Sequence, residues 1–245
     1  MKTALVCIAK DEDLYIDEWI NYHLKLGFTH IYIYQNDWRY KLDFISDNVT
    51  FLKFDGYLQQ NAAYNHFINK NYWNYDWAVF FDVDEFLVLK QHKTVSEFLN
   101  QYCEFEAVGI NWAIFGNNGL ETTNGDFSVI KRFTKRKKNP YLAIKSIVRL
   151  SIPRDKLPNF SNPHYINSEW VDTKFQKNSG PSSKEPTDDI AQINHYYCKT
   201  PQEFISKCKR GRAASRNLLT MDDYEVFNIN EVEDFFAYNF LYKGG

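Results

Sequence analysis

Residues 77–89 read Trp-Ala-Val-Phe-Phe-Asp-Val-Asp-Glu-Phe-Leu-Val-Leu. An apolar, aromatic and β-branched run thus delivers Asp82 and Asp84 at the spacing Asp-x-Asp, with Glu85 next and a second apolar run behind. Carboxylates framed this way cannot be buried alone, because stripping water from an unpaired charge is very costly. Something cationic must face them. A hard divalent ion, Mn²⁺ or Mg²⁺, held by oxygen ligands while it grips phosphates, meets that need. The plainer alternative is a strand end whose acids are simply solvated, and the spacing alone does not choose between the two.

The elements that must position these acids follow from patterning. The first half alternates strand and helix signals, which predicts an α/β fold with a mostly parallel sheet. Strands are expected at 3–9, 30–34, 50–54 and 77–81, and helices at 13–26 and 60–70. The first helix carries Tyr15, Trp19, Tyr22 and Leu26 at helical spacing before the stop at Gly27. Thr94 and Glu97 have capping-box spacing and open a short helix; 108–112 reads as a strand and 116–125 as a loop. Strands at 128–133 and 143–150 are expected to flank the basic turn Lys135-Arg136-Lys137-Lys138. That turn reads as an exposed hairpin tip, or as a contact for anionic lipid or a phosphorylated glycan. Residues 152–189 show no periodicity, Thr200-Pro201-Gln202-Glu203 marks a helix start, and 231–240 reads as an amphipathic helix.

With 245 residues and 44% hydrophobic content the chain suits one domain over 1–245. Its parts would be two halves, 1–100 and 101–215, and a helical tail at 216–245. A net charge of −2 argues against nucleic acid as a partner. Cys7, Cys103, Cys198 and Cys208 show no zinc spacing and suit a reducing cytosol. No stretch approaches the roughly 20 apolar residues of a membrane span, so a cytoplasmic protein is expected, with peripheral contact at the inner membrane face left open.

In open α/β sheets ligands bind beyond the carboxyl ends of the strands. That selects Ala9-Lys10-Asp11-Glu12, Asn36-Asp37, Asp55 and Asp82-Val83-Asp84. A series of phrases now stands in order: Ala9-Lys10-Asp11-Glu12, Trp19-Ile20-x-Tyr22-His23-x-x-x-Gly27, Asp82-Val83-Asp84-Glu85-Phe86, Trp112-x-x-Phe115-Gly116, His195-Tyr196-Tyr197-x-Lys199 and Lys207-x-x-Arg210-Gly211. Together they resemble glycosyltransferase family ninety-two and its relatives in family two, nucleotide-sugar enzymes of the GT-A fold. Asp11 departs from the Asn that the family most often shows before the Glu.

The resemblance implies that Asp84 and His195 ligate a metal, and that Asp82 joins them or holds the nucleotide's ribose. Ala9, Lys10, Glu12 and Asn36 would lie near the nucleoside. Gln60 and Asn65 would face the donor if they share a helical face; a plain surface helix is the alternative. Lys207 and Arg210 would add positive charge, or else belong to a solvated basic face with Lys209, Arg212 and Arg216. The implied reaction is transfer of a hexose, galactose among the possibilities, from a UDP-sugar to a glycan or lipid-linked glycan acceptor, as in cell-surface polysaccharide assembly. Inversion needs a carboxylate base. Glu121, Asp126, Asp155, Glu169 and Asp172 qualify by type; Asp126 and especially Glu169, beside Trp170, are favoured. His164 is placed on the acceptor side or in a turn.

Three rivals are weighed. A haloacid-dehalogenase-like phosphatase also uses Asp-x-Asp after an apolar strand, but usually with Thr or Val where Phe86 stands and near the start of the chain. A glycan-binding GT-A module without turnover need not keep Asp82, Asp84 and His195 together. A nucleotidyltransferase would carry a Gly-rich N-terminal phosphate loop, which this sequence lacks.

Overall fold

The computed structural model describes residues 1–37, 46–166, 168–211 and 218–244. In chain order these form β1 (Thr3–Ala9), α1 (Ile16–Lys25), β2 (His30–Gln35), β3 (Val49–Lys53), α2 (Gln60–Asn71), β4 (Trp77–Phe80), β5 (Glu85–Leu89), α3 (Val95–Asn100) and β6 (Ala107–Ile114). There follow α4 (Val129–Arg132), β7 (Lys135–Arg136), β8 (Ile144–Arg149), β9 (Trp170–Val171), β10 (Lys177–Asn178) and β11 (Ala191–His195). The chain closes with α5 (Pro201–Arg210), α6 (Met221–Phe227), β12 (Val232–Glu233) and α7 (Phe236–Tyr238).

The main sheet runs β10-β9-β6-β8-β4-β1-β2-β3. Its nucleus, β3-β2-β1-β4, is parallel throughout. Strand order reverses between β1 and β4, because the chain winds outward through β2 and β3 and then returns to β4 on the other side. This is the point at which open α/β sheets leave a crevice. Every residue of β1 is buried, as expected of a strand covered on both faces. Leu5, Cys7 and Ala9 pack with α1 and α3, while Ala4, Val6 and Ile8 pack with α2, Phe160 and Ile166. Alternation along the strand therefore feeds two cores, one on each side of the sheet.

β11 bridges β5, antiparallel, and β6, parallel. Its register sets His195 opposite Glu85, and the Tyr196 amide donates to the Asp84 carbonyl at 2.9 Å. α1 fixes the partner strand: the Trp19 indole and the Tyr22 hydroxyl donate to the carbonyls of Glu85 and Leu87, each at 2.9 Å.

Three local expectations are corrected. Residues 128–133 are helical rather than a strand: the Ser128 hydroxyl caps the Lys131 amide at 3.1 Å, and Glu18 of α1 accepts the Val129 amide at 2.8 Å. The basic turn is no hairpin tip. β7 pairs with β12, and Arg136 is buried against Asp234 at 2.7 Å and Asp188 at 2.9 Å, so the cluster is not one free basic surface. The same pairing keeps 231–235 out of the expected helix, which starts at α7 and continues as a π-helical turn over Asn239–Lys243. The helix α6 lies within the expected helical tail at 216–245, and its Thr220–Asp223 capping box marks its start.

No helix among the described residues is long and apolar enough to cross a membrane.

Candidate active site

The strand that the sequence analysis singled out ends at the reversal point, and its acids turn there into β5; the Glu85 amide donates to the Asp82 carbonyl at 3.0 Å. Two sets of charges meet at this turn.

The inner set is wholly buried at Glu85 and Lys145 and half-buried at Asp82. Asp82 Oδ1 accepts from Gln60 Nε2 at 2.6 Å, and Asp82 Oδ2 lies 3.1 Å from Lys145 Nζ. Lys145 comes from the middle of β8, is wholly buried, and also lies 3.2 Å from Glu85 Oε2. The Asp82 amide donates to that same Glu85 oxygen at 2.9 Å. Burial raises the Glu85 carboxyl to about 7 in spite of Lys145 beside it. Burial would likewise raise Asp82, but the Lys145 ammonium outweighs it and holds the carboxyl below its usual range.

The outer set faces α5. Asp84 Oδ2 lies 2.8 Å from Lys207 Nζ, and Asp84 Oδ1 lies 3.6 Å from His195 Nε2. Burial opposes ionisation of Asp84, yet Lys207 and His195 together hold it well below the usual carboxylate range. Lys207 is itself placed by the Tyr197 carbonyl at 3.1 Å and by the Tyr197 ring, 4.1 Å from its centroid. Arg210, one turn on, contacts Glu12 Oε1 at 2.5 Å and the Lys10 carbonyl at 2.8 Å. α5 is aimed by its capping box at Thr200 and by Glu203, which a forked pair to Arg132 at 2.8 Å holds down to about 2 against the effect of burial. Beside α5 opens a cleft of about 720 Å³, lined among others by Tyr15, Phe127, Lys199, Lys207 and Arg210.

The sequence-predicted residues divide. Asp82, Asp84, His195, Gln60, Lys207, Arg210 and Glu12 come together. Ala9 and Lys10 end β1 beside them; Lys10 Nζ is 3.8 Å from Asp37. Asn36 is buried and ties the strand ends together, its amide donating to the carbonyls of Phe54 and Gly56 at 3.0 and 2.8 Å. Asn65 does not share a face with Gln60: it pairs with the backbone of Phe160 in both directions, at 3.0 and 2.7 Å. Five positions along a helix turn too far to stay on one stripe. His164 is brought close, its ring 5.3 Å from that of Trp112, which in turn sits 4.8 Å from His195.

The carboxylates considered as a base fare differently. Asp126 is exposed in the turn before α4, next to the cleft-lining Phe127, and accepts the Ser128 amide at 2.9 Å. Glu169 is 74% exposed and lies 3.6 Å from Lys177. The pairing of Val171 with Val108 sets Glu169 level with Glu106, whereas Lys145 pairs with Ile110. Four residues of strand are roughly 13 Å, and Glu169 therefore sits toward the amino end of the sheet, away from the acids. Asp172 closes its own turn, accepting the Lys174 and Gln176 amides at 2.8 and 3.0 Å. Arg212 and Arg216 lie outside the described residues.

The expected metal set of Asp82, Asp84 and His195 does not fit this arrangement. Both Asp82 oxygens are engaged, by Gln60 and Lys145, and one Asp84 oxygen holds Lys207. What is left is one carboxylate oxygen and one imidazole nitrogen with an ammonium beside them. No group of three His, Cys, Asp or Glu side chains among the described residues converges as a metal needs. The sequence argument missed Lys145 and gave Lys199 only as part of a motif. A lysine inside the apolar run Ile144–Arg149 was the available signal, for it too demands a buried partner.

A mostly parallel sheet with an Asp-x-Asp turn at its reversal point and an antiparallel flank has the GT-A architecture. The chain belongs to glycosyltransferase family 92, whose sequence profile matches residues 49–223. A glycosyltransferase family 92 protein of Arabidopsis thaliana is 25% identical over 217 residues, 80% of this chain; the chain spans 35% of that relative's length. Among solved structures, S. aureus TarS 1-349 gives a TM-score of 0.45 at 15% identity, over 86% of this chain and 64% of that one. Its complex with UDP-GlcNAc gives 0.47 at 13% identity, over 91% and 63%.

Proposed function

We propose that residues 1–245 form a catalytic domain that transfers a hexosyl group from a UDP-sugar to a hydroxyl of a glycan acceptor, galactose being the first donor sugar to try. The observation that carries this reading is the turn Asp82–Asp84 at the sheet's reversal point, with Asp84 paired to Lys207 of α5, whose Lys207 and Arg210 line the neighbouring cleft. Family membership supports it independently.

In the transfer, the bond from the anomeric carbon to the β-phosphate oxygen breaks and UDP leaves with the electron pair. The acceptor oxygen forms the new bond, and its proton passes to a base. Charge building on the diphosphate must be met by fixed positive groups in a site shielded from water. Lys207 and Arg210 are such groups. Asp84 orients Lys207 and lies close to His195, while Gln60 and Lys145 fix Asp82 where a ribose hydroxyl can bond it. Inversion requires a carboxylate on the acceptor side, for which Asp126, next to the cleft-lining Phe127, is the first candidate to test. A lipid-linked acceptor and a role in cell-surface polysaccharide assembly are part of the same proposal.

The test is a panel of UDP-sugars and glycan acceptors assayed for UDP release and sugar transfer, with the native chain and Asp84→Ala. One donor should be turned over, at least 100-fold slower in the variant. Glycan binding without turnover of any nucleotide-sugar, or hydrolysis of simple phosphate esters lost with Asp82→Ala, would refute the reading.

A further inference from the structure

Among the described residues, one buried cation beside the acidic turn has no carboxylate partner of its own. Lys145 answers Asp82 and Glu85, Lys207 answers Asp84, Arg210 answers Glu12 and Arg132 answers Glu203. Lys199 remains. It is 9% exposed, lines the cleft, and its ammonium lies 3.4 Å from the centroid of the Tyr15 ring, with no carboxylate within ion-pair distance among the described residues. Burial pulls its ammonium below the usual lysine range against the attraction of the more distant Glu12 and Asp84, and Lys207 and Arg210 on the same cleft wall add to the lowering. A ring face compensates a buried cation only in part. An ammonium kept in this state, at a residue whose backbone also adopts φ +51°, calls for an anion.

We propose that Lys199, Lys207 and Arg210 form the diphosphate site of this protein and supply there the positive charge that a divalent ion would otherwise bring. The proposal rests on the nucleotide-sugar reading above and deepens it. Two features carry it. The cations and the acids that would bind an ion are already mutually paired, and drawing Asp82 away would leave the buried Lys145 with Glu85 as its one carboxylate. A further doubly charged ion on Asp84 would stand beside an ammonium now 2.8 Å from that carboxylate. A diphosphate, by contrast, enters a wall with one cation to spare. Lysine donates as a compact point charge with three hydrogens, whereas Arg210 offers a planar fork, so the set can follow two phosphates of differing orientation.

The experiment is calorimetric titration of the full chain with UDP and with uridine, in EDTA and in Mn²⁺, for the native protein, Lys199→Met and Lys199→Arg, with thermal melting of each. Native protein should bind UDP in EDTA, with an affinity that Mn²⁺ changes less than twofold. Lys199→Met should weaken UDP at least tenfold, leave uridine within twofold, and melt at or above the native temperature, since an unpaired buried charge is removed. Lys199→Arg should restore most of the loss. A structural lysine would instead lower the melting temperature and leave the UDP-to-uridine ratio unchanged, which would overturn the proposal. UDP binding seen only with Mn²⁺ would overturn it while leaving the proposed function standing. Binding of neither UDP nor uridine under any condition would remove both.

Discussion

Lys145→Met puts the buried charge arrangement to its sharpest test. The native ammonium is wholly buried and serves two carboxylates, at 3.1 Å and 3.2 Å. Its removal leaves Asp82 with only Gln60 and leaves Glu85 with the Asp82 amide. Breaking a buried pair by deleting one partner costs about 3–5 kcal/mol. Glu85 relieves part of this by taking a proton, its carboxyl already standing at about 7, so the lower end, about 3 kcal/mol, is expected near pH 7. For a chain of this size that is a fall in melting temperature of roughly 6–12 °C. The triple variant Lys145→Met, Asp82→Asn, Glu85→Gln removes every charge at once and should recover most of the loss, because an uncharged set of similar volume has no charge to desolvate. Urea denaturation of native, single and triple variants reads this directly. A loss under about 1 kcal/mol in the single variant, the range of an exposed pair, would refute the reasoning, as would a triple variant no better than the single.

The remaining predictions are shorter. Glu85 has its folded value raised above the unfolded one, so its contribution is full below about pH 4.5 and is lost as pH rises toward 7; native stability should fall by about 3 kcal/mol across that window relative to Glu85→Gln, and parallel pH profiles in denaturation would contradict this. Glu203 is depressed to about 2, so its contribution is present above pH 4.5 and lost on acidification; Arg132→Met should abolish that dependence and loosen α5, seen as faster amide exchange over Pro201–Arg210. Asp126→Asn should slow transfer at least 100-fold with donor affinity unchanged, whereas Glu169→Gln should leave both within twofold; the reverse would return the base to Glu169.

Much of the nucleus was legible because its signals are local. β1 coincides with the expected 3–9 strand, and the Thr94 and Thr200 capping boxes open helices as read. What failed was set by distant partners. Residues 128–133 are β-branched and apolar enough for a strand, and only Glu18, 110 residues away, settles a helix. Arg136 reads as one of four exposed bases until Asp234, 98 residues on, buries it. The acidic turn shows both sides of this. Buried carboxylates do demand a cation, but the cations that meet them are Lys145 and Lys207, 63 and 123 residues removed from their acids. Sequence spacing carries the need for a partner and not its identity.

The central claim is that the acidic turn, Lys199 and the α5 residues Lys207 and Arg210 together receive a nucleotide diphosphate. A crystal structure of the chain with UDP, grown in the presence of EDTA, tests it most directly. The account predicts β-phosphate oxygens within hydrogen-bond distance of Lys199 and Lys207 and the ribose beside Asp82. UDP seated away from α5, or absent until a divalent ion is added and then ligated through it to Asp84 and His195, would contradict the account.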